Sequence, residues 1–267
     1  MFPHSRKMSS MQKRKIVRLK VTESTNSFTL DLANKGADTG TVVMADSQTG
    51  GRGRLNRSWL SPPGMGLYFS LLLKPDLAAE NLPKITLAAG LAISKAVAAE
   101  SAVSLKIKWP NDLILDNKKT GGILTETSAV QNLTGSRKTY VVIGVGLNIY
   151  EPEGGFPASL KDRATSLSLH CDREIVTEKL LERCIFEIEK VVRRMEEGDF
   201  PAILEEWKQL DALKDQELSW VTPQGRQVTG RSLGPDADGI LHIRDKTGII
   251  HEVISGDVEL AGFEGMR

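Results

Sequence analysis

The sequence predicts an α+β protein in two parts. A large α+β domain spans residues 16–213, and a small β-barrel of SH3-like size spans 214–267, with a basic tail at 1–15. Three observations predict this. Strand-like segments up to residue 149 look antiparallel and are interspersed with helical ones. After Lys214, five short strand-like segments alternate with Pro, Gly and Asp turns within about fifty residues. The chain has 267 residues, 40% of them hydrophobic and 26% charged, which allows one large domain, or one large and one small, and excludes disorder, collagen and coiled coil.

Each element follows in order. Residues 16–21, IVRLKV, alternate and read as a strand with Val17, Leu19 and Val21 on one face. Glu23-Ser24-Thr25-Asn26 is a hydroxyl-rich junction. Phe28 and Leu32, at i, i+4 spacing, then mark a short helix that Gly36 closes. TVVMAD at 41–46 is a second strand. A glycine- and arginine-rich loop starts at Thr49 and ends near Gly66, and LYFSLLL at 67–73 is a third strand. Asn81 and Pro83 open a helix reaching Glu100, with a core stripe of Ile85, Ala88, Ala89, Ala92, Ile93, Ala96 and Val97. Residues 105–115 read as two strand pieces joined at Pro110. The polar turn Asp116-Asn117-Lys118-Lys119 leads into GGILTE at 121–126, and TYVVIGVGLNI at 139–149 is another strand. A long helix over 177–197 carries Leu181, Ile185, Ile188, Val192 and Met195 and ends at Gly198. A further helix starts near Asp199 and contains Trp207. The strands of the second part are ELSWV, RQVTGRS, ILHI, IIHEVI and VEL.

Composition excludes several classes of function. Two cysteines, Cys171 and Cys184, cannot make a disulfide framework, and no CxxC pair suggests zinc, so a reducing cytoplasm is expected. The four histidines are scattered and lie outside any HExxH or triad-like signature, which argues against histidine-based hydrolysis. No unbroken apolar run reaches the ~18 residues of a membrane span, and no membrane partner is expected. The net charge of +1 divides into +5 over residues 1–15 and −4 over the remainder. A basic tail can touch nucleic acid or acidic lipid, but charge runs are more often solvated leaders.

Four segments carry chemistry. The first is QTGGRGRLNRSW at 48–59. Its glycines allow close backbone approach to a ligand. Three arginines without a nearby acid would repel one another unless an anion sat between them. Read alone, it is also consistent with a flexible RNA-touching loop, and it is no Walker A loop. The second is KIKWPND at 106–112, which groups a cation, an amide and a carboxylate at a strand end. Asn111-Asp112 after proline is equally a turn signature. The third, KTGGILTE at 119–126, sets a lysine before two glycines and would by itself be a hairpin. The fourth, GVGLN at 144–148, is a strand with glycines where a partner or ligand comes near.

Together, and in this order, these segments resemble the biotin protein ligase family, as does Ser24-Thr25-Asn26 upstream. The resemblance spans about residues 16–262 and is specific because no single motif carries it. It implies a mixed-sheet α+β catalytic domain similar to the class II aminoacyl-tRNA and biotin synthetases, followed by an SH3-like domain. It implies a two-step reaction. Biotin's carboxylate attacks the α-phosphate of Mg-ATP to give biotinyl-5′-AMP and pyrophosphate. A lysine of a biotin carboxyl carrier domain, as in acetyl-CoA carboxylase, then takes the biotinyl group and releases AMP. No protein nucleophile is needed, so catalysis rests on positioning and charge stabilisation.

The roles implied fall on named residues. Lys119 is the cation for biotin's carboxylate and the α-phosphate, Arg54 covers the same linkage, and Lys108 and Asp112 complete the catalytic set. Ser24, Thr25, Asn26 and Gln48 serve the fused urea ring, with Gly51, Arg52, Gly53 and Gly122 close to biotin through backbone. Arg57, Trp59, Asn111 and Asn148 serve ATP or the adenylate, and Asp112 is also the expected Mg²⁺ ligand. The family loop usually has glycine where this chain has Asn56. Asparagine tolerates φ > 0, so the loop shape should survive. Some family members carry an N-terminal helix-turn-helix of about sixty residues and repress transcription. About fifteen residues precede the first strand here, so the chain reads as the ligase-only type with no specific DNA partner. A homodimer is possible. Two other readings are a nucleic-acid-binding regulator and a lipoate ligase of related fold, whose arginine/triple-glycine motif is missing here.

Overall fold

A computed structural model of the chain describes residues 15–131, 137–222, 225–253 and 258–260. The basic tail, apart from Lys15, lies outside the described residues. Seven strands build the first sheet: β1 (Ile16–Thr22), β2 (Val42–Gln48), β3 (Gly66–Leu73), β4 (Lys106–Lys108), β5 (Asp112–Leu115), β6 (Lys118–Gln131) and β7 (Arg137–Asn148). Their order is β1-β2-β3-β7-β6-β5-β4. β1 and β2 are parallel, and the other neighbouring pairs are antiparallel. The sheet is thus mixed. The antiparallel expectation fails at β1–β2 because helix α1 (Thr25–Asn34) carries the chain back along the sheet before β2 begins, the crossover that parallel strands require.

Alternation along the central strands decides what each face buries. Val141, Ile143, Val145 and Leu147 of β7 enter the main core with Leu67, Phe69 and Leu71 of β3 and Ile123 of β6. Helices α2 (Ile85–Ser101), α3 (Thr177–Glu196) and α4 (Phe200–Gln209) cover that side. On the opposite side Leu72 and Val142 pack with Ala33 of α1. β3 is almost wholly apolar because both of its faces are covered.

α2 is apolar all round and lies inside the core, packed on α3. Averaged over a window, Ala79–Ser101 is long and apolar enough to cross a membrane, with a mean hydropathy of 1.3, but most of it is buried in the protein. α3 buries Leu181, Ile185, Ile188, Val192 and Met195 as its periodicity predicts, and Gly198 follows its end at φ 82°.

Three local expectations are corrected. α1 buries Thr25, Asn26, Thr29 and Ala33, while the apolar pair Phe28 and Leu32 is only half-buried, since the face it covers is partly polar. Pro83 lies in a 3-10 turn, Ala79–Lys84, and the α-helix proper starts at Ile85. Lys119 belongs to strand β6, not to a turn. The turn is the pair Asp116-Asn117, both with positive φ (48° and 59°), the backbone that a two-residue hairpin loop needs.

A second, five-stranded antiparallel sheet has the order β11-β10-β9-β8-β12. It is built from β8 (Glu217–Val221), β9 (Gln227–Pro235), β10 (Leu241–Asp245), β11 (Ile250–Val253) and β12 (Val258–Leu260), matching the five predicted strands. Leu218, Trp220, Val228, Leu241, Ile243, Val253 and Val258 join the same buried cluster as the first sheet.

The segment joining the sheets carries a titrating group. Asp211 is 8% exposed. Burial pushes its carboxyl up to about 6, against the opposing hydrogen bond from Leu213 N–H at 2.8 Å. The folded state therefore holds this proton more tightly than the unfolded state does. Its contribution to stability is full below about pH 4 and is lost as pH rises through about 6. Asp211→Asn keeps an acceptor for Leu213 without the charge. The variant's Tm relative to the parent should rise between about pH 4 and 7. A Tm difference that stays constant across that range would count against this assignment.

Candidate active site

The site face of the sheet is the one α1 covers in part. There the alternate residues of β3, β6 and β7 are Ser70, Gly122, Glu126, Gly144, Gly146 and Asn148, in register as Gly122↔Gly146 and Gly144↔Ser70. A Cβ at Gly144 would collide with Asn26 Oδ1, and one at Gly146 with Trp59 Nε1. The glycines of GVGLN thus admit two of the chain's own side chains, which lie where a partner was expected.

Ser24 caps α1, its Oγ 3.5 Å from Ser27 N. Gln48 Oε1 accepts from Thr25 N (2.8 Å) and Thr25 Oγ1 (3.2 Å), while Gln48 Nε2 donates to Ser61 Oγ (2.9 Å). Ser70 Oγ donates to Asn26 Oδ1 (2.6 Å), and Asn26 Nδ2 donates to Glu126 Oε2 (2.7 Å) and Leu124 O (3.1 Å). Thr25, Asn26 and Gln48 are therefore brought together as predicted, with their polar atoms engaged by one another and by neighbours. Their orientations are set before any ligand arrives.

The glycine–arginine loop folds back on itself. Trp59 N donates to Gly51 O (2.8 Å), Gly53 N to Arg57 O (2.7 Å), and Arg52 bridges to Ser58. Arg54–Asn56 form a 3-10 turn in which Leu55 (φ 55°) and Asn56 (φ 58°) are left-handed, so asparagine adopts the positive φ expected at this position. One expectation is corrected. Arg52 does have an acid: it meets Glu126 Oε2 at 3.0 Å and Ser27 Oγ at 3.2 Å. Glu126, 74 residues away in sequence, has no assigned role in the motif reading although it ends GGILTE.

The charged centre lies at β4–β5–β6. Lys119 Nζ is 2.6 Å from Asp112 Oδ1 and 5.5 Å from the centre of a Trp59 ring. Asp112 pairs with Lys108 across β4–β5 and with Gly122 across β5–β6. Burial pulls the Lys108 ammonium down, Asp112 and Glu259 oppose this, and Lys119 and Arg163 reinforce it. Burial likewise lowers the Arg54 guanidinium, with Asp112 opposing and Arg57 reinforcing. Arg54, Lys108 and Lys119 thus gather around Asp112, with Glu259 acting on Lys108 as well, an excess of positive charge suited to an anion. Trp59 Nε1 is buried without a hydrogen-bond partner among the described residues.

Two predicted ligand contacts act first as brackets. Asn111 Nδ2 donates to Ile123 O (2.8 Å), and Asn148 Nδ2 donates to Thr165 O (3.0 Å); both residues are buried. Ser61, Ser70 and Glu126 are the site residues that motif reading misses. Each acts across a long sequence separation or from a strand whose apolar run hides it.

Glu126→Gln would keep the acceptor for Asn26 but remove the charge facing Arg52. Partly exposed pairs of this kind contribute about 0.2–1 kcal/mol. Protease cleavage between Arg52 and Arg57 should speed up about two- to fivefold with little change in Tm. Unchanged cleavage would show that the pair does not hold the loop.

The model of the Biotin/lipoate A/B protein ligase family matches residues 18–148. A bifunctional ligase/repressor BirA of Bacillus spizizenii is 36% identical over 240 residues, which cover 90% of this chain and 72% of that protein. A biotin–[acetyl-CoA-carboxylase] ligase of Paracoccus denitrificans is 37% identical over 130 residues, 48% of this chain and 52% of that one. Among solved structures, a biotin protein ligase from Aquifex aeolicus in complex with biotin and ATP superposes with a TM-score of 0.77 at 29% identity, covering 92% of this chain and 98% of that one. The chain belongs to the biotin/lipoate A/B protein ligase family, and within it to the biotin protein ligases.

Proposed function

We propose that the protein joins biotin to a carrier lysine at the expense of ATP, through biotinyl-5′-AMP. The carrying observation is the Arg54–Lys108–Asp112–Lys119 cluster on the same sheet as the hydrogen-bonded Thr25–Asn26–Gln48 group, with the Trp59 indole, its N–H unpartnered among the described residues, against Gly146 and 5.5 Å from Lys119 Nζ. In the first step a biotin carboxylate oxygen bonds to the α-phosphorus of ATP, the Pα–O–Pβ bond breaks, and pyrophosphate leaves. Lys119 bonds the carboxylate and the α-phosphate, and Arg54 covers the growing charge from the loop. Arg57, Trp59, Asn111 and Asn148 hold the nucleotide side. Ser24, Thr25, Asn26 and Gln48 hold the urea ring, which needs both donors and acceptors. In the second step the carrier's lysine amine attacks the biotinyl carbonyl carbon and AMP leaves. The amine must shed its proton, and Asp112, the carboxylate within the charged cluster, receives it.

Bound with ATP, Mg²⁺ would neutralise the polyphosphate, and Asp112 would hold it. A single carboxylate, Asp112, fits an ion that keeps phosphate and water as its other ligands. We further propose that residues 16–213 form the catalytic domain and 214–267 an SH3-like domain, that the carrier is that of a carboxylase, and that the chain makes no specific DNA contact. Biotin, ATP and an isolated carrier domain supply the test. Pyrophosphate should appear with biotin and ATP alone, and covalent biotin on the carrier only when all three are present. Carrier that stays unmodified would refute the reading.

A further inference from the structure

The Lys108–Asp112 end of the site rests on a short edge. β4 has three residues, with β5 on one side, where Ile107 pairs with Leu113 and Lys108 with Asp112. Among the described residues, its other side has no strand of the first sheet. The segment joining the two sheets pairs there instead: Ile107 N donates to Leu210 O (2.8 Å), and Ala212 N donates to Ile107 O (2.9 Å). The next residue, Trp109, is 6% exposed. Its indole Nε1 donates to Gly239 O at 2.9 Å, across to the second sheet.

Gly239 sits in a turn built to hold that carbonyl. Asp236 Oδ1 accepts from Asp238 N (2.9 Å) and Ile240 N (3.0 Å), its Oδ2 lies 2.8 Å from His242 Nε2, and Gly239 N donates to Asp236 O (2.9 Å). Asp238 pairs with Lys84 at 3.0 Å. Gly239 has φ 80°, and a Cβ there would come within 2.9 Å of Leu87 Cδ1, so the turn presses closely on α2. The second sheet also reaches the site electrostatically, since Glu259 of β12 favours the charged form of Lys108.

We propose that Trp109 is a positioning residue: through its bond to Gly239 O, the second sheet sets the register of β4 and with it the placement of Lys108 and Asp112. This rests on the adenylate-forming reading above. Trp109 touches no substrate in this scheme. The residues assigned to biotin's urea ring, Ser24, Thr25, Asn26 and Gln48, stand at and beside α1 and on β2, several strands from β4 in the sheet order, so their hold on biotin should not sense it.

The full-length protein supplies the test. Trp109→Phe keeps the ring and deletes the N–H. Hydrogen exchange at the Ile107 and Ala212 amides should speed up, kcat for pyrophosphate release should fall about fivefold, the scale of one hydrogen bond, and the biotin Kd should stay within about twofold. Asp236→Ala loosens the turn from outside the site and should act the same way. The double variant should then lose no more than the larger single loss, because both act through Gly239 O. The proposal is overturned if exchange at Ile107 and Ala212 is unchanged, if kcat is unchanged while exchange rises, if biotin affinity falls in step with kcat, or if the two losses multiply. A native chain that releases no pyrophosphate refutes the function instead, and exchange at those amides still decides whether the anchor exists.

Discussion

Lys119→Ala should lower the rate of pyrophosphate release from biotin and ATP by ~10²–10³, the usual loss when one preorganised charge donor is removed. The upper end is expected. The native ammonium lies 2.6 Å from Asp112 Oδ1. Its removal deletes a cation from the anion site and also leaves a carboxylate free to repel the incoming phosphate. The fold should persist, since the position is held by backbone. Lys119 N donates to Arg163 O (2.8 Å), Thr165 N donates to Lys119 O (3.0 Å), and neither bond involves the side chain. The Lys119 and Asp112 side chains are 36% and 24% exposed. A pair exposed to that degree contributes no more than about 1 kcal/mol, which limits the fall in Tm to about 4 °C. Pyrophosphate release near the native rate would remove Lys119 from its assigned role. A collapse in Tm would show that the residue is structural.

Local signals in the sequence carried the fold further than the site. The five strands of the second sheet were legible because their turns are written in Asp, Gly and Pro and each strand alternates over a few residues. α2 was legible from its length and apolar content, and α3 from its length and periodicity. The burial of α1 was not. Apolar spacing points at Phe28 and Leu32, but Thr25, Asn26 and Thr29 are buried, because the helix docks on a sheet face carrying Ser70 and Gly144. Periodicity reports which residues avoid water, and here a polar network replaces water on that face. Lys119 was misplaced for a related reason. A two-residue turn and a strand start differ by backbone dihedrals, which composition does not encode.

The site residues chosen from motifs do cluster, since the motifs sit on adjacent strands and one loop. Their partners were out of reach. The Arg52–Glu126 pair depends on β6 crossing beneath the loop, a tertiary fact with no local signature. For the same reason the loop arginines have no acid near them along the chain, while in space Arg52 meets Glu126.

Arg54→Gly should leave an enzyme that makes the adenylate but fails to keep it. A mixed anhydride reacts with any amine, so selectivity for the carrier depends on holding the intermediate until the carrier arrives. Arg54 opens the 3-10 turn of the loop, partly buried and under the influence of Asp112, while Lys119 stands on a rigid strand. Moving a loop outside the sheet costs less than moving a strand paired on both sides, and on the proposed mechanism Arg54 then acts as the clamp and Lys119 as the fixed charge. Removing the guanidinium deletes one charge-assisted hydrogen bond to the ligand, worth ~1.5–3 kcal/mol. If that loss falls on the off-rate, release speeds up roughly tenfold to hundredfold. Synthesis should fall less, because Lys119 remains. Glycine also frees the turn, which adds to escape. Filtration of preformed, labelled biotinyl-AMP complex gives the off-rate directly. In a mixed lysate with excess biotin and ATP, the variant should label many proteins while the native chain labels the carrier. Equal off-rates with equal selectivity would show that Arg54 does not clamp the intermediate, and a variant unable to make adenylate at all would move Arg54 from retention to the chemical step.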